Sequence, residues 1–107
     1  MKAGDTGVRE KLAGLVDYQK DSVVSREIAG RPAGTISLFA FDRGQGLSPH
    51  SAPFDAFVYV VEGRAEIAIE DKTNVLDAGE MIVMPAQRQH AIRALDPLKV
   101  LLVMIRS

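Results

Sequence analysis

The stretch LSPHSAPFDAFVYVVEG, Leu47 to Gly63, places a histidine, prolines and a carboxylate ahead of an apolar run that closes on Glu-Gly. Its second half, FDAFVYVVE, reads as a strand, because β-branched and aromatic residues fill it and Glu62-Gly63 supplies the reversal that ends it. Its first half has the look of an entrance to a metal site from which most donors are gone. Three readings stand open: a working metal centre, a pocket without its metal, or a strand with an unusual approach.

The same grammar repeats on both sides of this stretch. From Ser22 onward the chain falls into eight strand candidates: SVVSREI, TISLFAFD, FDAFVYVVE, RAEIAIE, NVLD, EMIVMP, HAIRAL and LKVLLVMI. Between them lie GRPAG, GQG, Glu62-Gly63, Asp71-Lys72, Asp77-Ala78-Gly79 and Asp96-Pro97, each with a glycine, a proline or an Asx residue where the chain must reverse. That is too many strands for one small open sheet and predicts an all-β sandwich or barrel. RAEIAIE alternates, with Ala65, Ile67 and Ile69 on one face and Glu66, Ala68 and Glu70 on the other, so it has one dry and one wet side. LKVLLVMI is apolar on both faces from Val100 to Ile105, which assigns it two covers, the second from another subunit. Met81, Met84 and Met104 read as core filler.

Ahead of the strands, DTGVREKLAGLVDY is the one helical pattern: Val8, Leu12, Leu15 and Val16 recur at helical spacing, Asp5 or Thr6 offers a cap, and Gly14 weakens it. The reading is therefore one domain over 1–107, with an N-terminal arm over 1–21 and a β-barrel over 22–105.

Composition limits the functions available. In 107 residues, 13 basic and 14 acidic side chains leave a net charge of −1 with no basic cluster, so nucleic acid and anionic lipid are not expected as partners. There is no cysteine, which removes disulfides, zinc knuckles and thiol nucleophiles together. The N-terminus carries charges where a secretory signal needs an apolar core, and no stretch approaches the ~20 apolar residues of a membrane span. A cytoplasmic protein is expected. A domain of this length hides only about two-thirds of its unfolded surface, and a homodimer follows as the expected assembly.

The chain has only two histidines, His50 and His90, each near a proline and a predicted strand. Gly44, His50, Ala52, Ala56 and Gly63 fall in one spaced series; Gly79, Pro85, Gln87, His90 and Ala94 fall in a second. These two series resemble the two motifs of the cupin family, over roughly Thr35 to Ile105. The first motif has His-x-His and a glutamate where this chain has His50, Ala52 and Ala56. The second has Pro-x-Gly and a histidine where it has Pro85, Gln87 and His90. The resemblance implies a small single-domain cupin: an antiparallel β-barrel, or jelly roll, that usually pairs into homodimers. It also implies a site in which three histidines and a glutamate hold Fe, Mn, Ni, Zn or Cu. Half of that set is missing here, so the cofactor is either none or a weakly held divalent metal such as Zn, Ni, Fe or Mn on His50 and His90.

Three functions follow. The first is a barrel whose mouth binds a small organic molecule through His50, His90, Gln87 and Gln89; core packing is the default for Tyr59, and a stacking face for a ring in that pocket is its alternative. The second is a metal-assisted enzyme, with the family's dioxygenases, isomerases and decarboxylases as precedent, or a metal-free one in which the imidazoles exchange a proton with substrate. The third is an interaction module that works through its dimer face. Asp55 reads as a turn partner rather than a ligand. Alternation directs His50, Ala52, Ala56, Val58, Val60, His90 and Ile92 into the lumen.

Overall fold

A computed structural model describes residues 7–106. Nine strands follow a single 3-10 turn at Leu12–Leu15: β1 (Val23–Arg31), β2 (Gly34–Phe41), β3 (Gly46–His50), β4 (Asp55–Glu62), β5 (Arg64–Ile69), β6 (Lys72–Asp77), β7 (Met81–Met84), β8 (His90–Ala94) and β9 (Leu98–Ile105). They form two antiparallel sheets, one of five strands in the order β1-β2-β9-β4-β7 and one of four in the order β3-β8-β5-β6. The two sheets pack face to face as a jelly roll.

Eight of the nine strands sit on the sequence candidates. The ninth, β3, is the approach to FDAFVYVVE, which sequence reasoning left outside its strand candidates. Pro49 argues against a strand because it cannot donate to a ladder. That objection does not hold at an edge, and β3 is the edge of its sheet, paired only with β8 through Gly46↔Arg93, Leu47↔Ile92 and His50↔His90. Gly46 permits the close docking, since a Cβ there would collide with the Ile92 carbonyl oxygen.

Alternation builds the core. On β4, Ala56, Val58 and Val60 point inward and are almost wholly buried, as are Ala65 and Ile67 on β5, Ile92 and Ala94 on β8, and Leu98 and Val100 on β9. A fully buried Leu, Ile or Val contributes about 1.5–3 kcal/mol relative to exposure, so this interior supplies most of the driving force.

The outer face of the five-stranded sheet has its own, smaller cluster. Val16 packs on Leu38 and Ala40, with Leu12, Leu15, Tyr18, Val24, Ile28 and Val61 around them. The arm crosses this face and is tied down. Lys99 Nζ donates to the Ala13 carbonyl at 2.6 Å, Tyr18 Oη donates to Glu62 Oε2 at 2.6 Å, and Lys99 lies 4.9 Å from the centre of the Tyr18 ring. Burial and the Glu62 partner push the Tyr18 hydroxyl well above its ordinary pKa. These ties explain why the helical pattern yields only a 3-10 turn: the arm's apolar residues serve the sheet below, and Gly14 gives little helical propensity to resist it. The cap positions Asp5 and Thr6 lie outside the described residues.

The arm provides the second cover of β9 only at its start. Lys99 is buried beneath it, Leu101 and Val103 are half-buried, and Ile105 is 60% exposed. Met81 is 47% exposed on β7 and is not core filler, whereas Met84 is buried and Met104 packs against the interior cluster.

Candidate functional site

His50 and His90 are cross-strand partners on β3 and β8. Directly opposed residues in antiparallel strands share a face. Their rings meet edge to face, with centroids 4.5 Å apart and planes at 75°. His90 is the inward residue at the start of β8, in line with Ile92 and Ala94, and is 3% exposed. His50 is exposed at the rim, so of the two only His90 is enclosed.

Their hydrogen bonding differs. His50 Nδ1 lies 2.8 Å from the Ser48 carbonyl oxygen. A carbonyl only accepts, so this nitrogen carries the hydrogen. His90 has no partner for Nδ1 or Nε2 among the described residues, although both atoms are buried. Leaving a buried polar group unsatisfied costs about 1–3 kcal/mol. Burial, and then the neighbouring His50, hold the His90 pKa below its ordinary value, so its neutral form is favoured.

The other sequence candidates are distributed around the pair. Ala52 lies in the loop after β3 rather than on a strand, and its carbonyl accepts from the Gln87 amide at 2.8 Å. Ala56 points inward and is 2% exposed, opposite Met84 and Met104. Gln87, at the glycine position of the second motif, has φ +66°, the left-handed backbone that glycine adopts without strain. It is exposed, and its amide is tied to the loop that follows His50. Asp55 is a turn partner, accepting from the Ala86 amide at 2.8 Å.

Two candidates are not brought to the interior. Gln89 lines an outer hollow of about 100 Å³ with Pro49, Ala68, Glu70, His90 and Ala91, and its carbonyl accepts from the Glu70 amide. Tyr59 alternates with the buried Val58 and Val60, and therefore faces outward, opposite Leu101 and Met81. Sequence reasoning offered Tyr59 to the pocket without working out which side of the sheet it would take, whereas Gln89 faces out of the barrel but shares its hollow with His90. It missed Ser48, whose carbonyl orients His50, and Ile69, the β5 partner of His90. An edge-strand reading of GLSPH would have flagged Ser48; Ile69 needed the register.

The metal of the motif does not suit these residues. Two imidazoles remain, the other two positions hold methyl groups, and Asp55 is engaged elsewhere. Among the described residues no group of three or more His, Asp or Glu side chains gathers as a metal would require. Metal sites in proteins generally keep at least three protein ligands.

Two sheets closed into a jelly roll, with a histidine at the marked position of each motif, define the cupin class. The cupin domain family model matches residues 37–104, and the chain belongs to that family. The conserved protein SPY1581, of unknown function, from Streptococcus pyogenes is 33% identical with a TM-score of 0.92, over 99% of this chain and 93% of that one. A cupin superfamily protein, DSY2733, from Desulfitobacterium hafniense is 25% identical at a TM-score of 0.92, over 99% and 97% of the two chains. Among curated proteins, Polyketide synthase CurC of Streptomyces cyaneus is 34% identical over 65 residues, 60% of this chain. The chain spans 42% of that relative's length. No helix among the described residues is long and apolar enough to cross a membrane.

Proposed function

We propose that this cupin is a binding barrel that takes a small organic molecule where His50 and His90 meet and does not hold a metal tightly. One observation carries the reading: the two imidazoles meet edge to face with both His90 nitrogens unpartnered among the described residues, while the two remaining donor positions of the motifs are Ala52 and Ala56. The polar groups that would orient a ligand are kept, and the charge and donor count that would retain a divalent ion are not. Gln87 serves the rim of this site. The test is the metal content of the purified protein, together with thermal-shift screening of the native chain, His50→Ala and His90→Ala. A stoichiometric metal that both variants lose would overturn the proposal; a metal-free protein stabilised by organic ligands only when both histidines are present supports it.

A second reading is catalytic, and the likeness to Polyketide synthase CurC favours keeping it. In its simplest form the imidazole pair exchanges a proton with a carbonyl or hydroxyl substrate. In its metal-assisted form, of dioxygenase, isomerase or decarboxylase type, a weakly held Zn, Ni, Fe or Mn would need water or substrate to complete its shell. Turnover of a bound ligand, lost in both alanine variants, separates either form from simple binding.

A further inference from the structure

The hydrogen-bonding state of the pair restricts what it can bind. Because His50 gives its Nδ1 hydrogen to Ser48, its neutral ring has Nε2 as a bare acceptor. A ligand must therefore offer His50 a hydrogen. A neutral His90 has one N–H and one lone pair, neither matched among the described residues. A carboxylate or ketone cannot donate to His50, and an ammonium cannot accept from His90. A hydroxyl does both through one atom.

Charge and packing narrow the class further. Neither histidine takes part in an ion pair among the described residues, and the charged side chains on neighbouring elements are directed to other partners. Glu70 at the end of β5 pairs with Arg88 from the β7–β8 loop at 3.1 Å, Asp55 at the start of β4 accepts from Ala86, and Arg106 beyond β9 lies over the Phe54 ring at 5.5 Å. On the interior face, the residues that strand register sets beside the pair are Leu47, Ile69 and Ile92, all apolar and all part of the interior cluster.

Resting on the reading that the pair receives an organic molecule, we propose that its ligand is an uncharged hydroxyl compound with an apolar body, of the phenol class, with its hydroxyl hydrogen accepted by His50 Nε2. The hydroxyl oxygen takes the His90 N–H, and the ring lies against the apolar interior. No bond is made or broken.

The test uses the full chain with nitrogen-15 in its histidines, whose ring spectra read the tautomer of each imidazole. Phenol, benzoate, benzylamine, benzamide and toluene are titrated separately, with melting temperature followed in parallel. The free protein should show His50 with its hydrogen on Nδ1. Phenol should shift His50 Nε2 and both His90 nitrogens and raise the melting temperature, with affinity at least tenfold lower in His50→Phe. His50 found with its hydrogen on Nε2, or benzoate, benzylamine, benzamide or toluene perturbing the pair as strongly as phenol, would overturn the ligand class and leave binding at the pair standing. If no probe moves either imidazole and the wider screen finds no ligand, the binding reading itself fails. Should His50→Phe not fold, the tautomer and the ranking of probes on the native chain decide.

Discussion

His50 on the edge strand β3 stands directly opposite His90 on β8, with ring centroids 4.5 Å apart, so the one histidine left in each motif is brought into contact by strand register alone. A rim imidazole anchored to the backbone rests against a buried one with no bonding partner among the described residues. The predictions follow from that asymmetry and from the faces around it.

Restoring the lost donors should restore metal binding at a cost in stability. Ala56 is 2% exposed against Met84 and Met104, so Ala52→His with Ala56→Glu buries a carboxylate among apolar groups. Without metal the double variant should be less stable than the native chain by about 3 kcal/mol, the scale of an uncompensated buried charge. Zinc or nickel should reverse much of that loss and leave the native chain nearly unmoved. Urea unfolding with and without metal, and calorimetric titration, measure both effects.

Replacing the buried ring should stabilise the protein. His90→Phe removes two unpartnered buried nitrogens and keeps a flat ring, so a gain of about 1 kcal/mol in urea unfolding is expected. A loss of similar size would mean that His90 has a partner after all. The same variant should abolish response to organic ligands.

Acid should weaken the native fold in a defined window. The folded pKa of His90 lies below the ordinary 6.5, through burial first and His50 second, so between those two values the unfolded chain binds the extra proton. Stability should be full above pH 6.5 and decline as pH falls through that window to the lower folded value. His90→Phe should flatten this part of the curve, as measured by melting temperature against pH.

Gln87 is strained where the motif has glycine. At φ +66°, Gln87→Gly relieves a left-handed conformation that costs a non-glycine residue about 1 kcal/mol or more, partly offset by the greater freedom of glycine when unfolded. The variant should be more stable by up to about 1 kcal/mol in urea, with the Ala52 contact retained.

The outer face of the five-stranded sheet should pair with a second copy. One row across four strands, Ile36, Val103, Phe57 and Val83, is entirely apolar, and it continues the face that the arm covers around Leu38 and Ala40. Ile36 and Val83 remain 37% and 47% exposed. A contiguous apolar surface of this kind on a small domain favours self-association. Light scattering should report a dimer at micromolar concentration and a shift toward monomer in Val83→Lys; a native monomer throughout that range would defeat the expectation.

The sequence by itself determined the sheet content, because β-branched runs, turn residues and period-two alternation are local properties of the chain. It also determined the likeness to cupins and the absent donors, since motif spacing needs only counting: His50, Ala52 and Ala56 could be read off as they stand. Tertiary structure alone decided β3, where Pro49 is tolerated because no strand lies beyond it, and the fate of the arm, where ties to Glu62 and Lys99 outweigh a weak helical pattern. It decided too that Ser48 orients His50, that His90 has no partner among the described residues, that Gln89 shares an outer hollow with His90, and that Tyr59 turns away from the pair. Alternation tells which residues share a face of one strand. Which strand lies opposite, and in what register, is set by the packing of the whole sandwich, and the chemistry of two histidines on different strands exists only there.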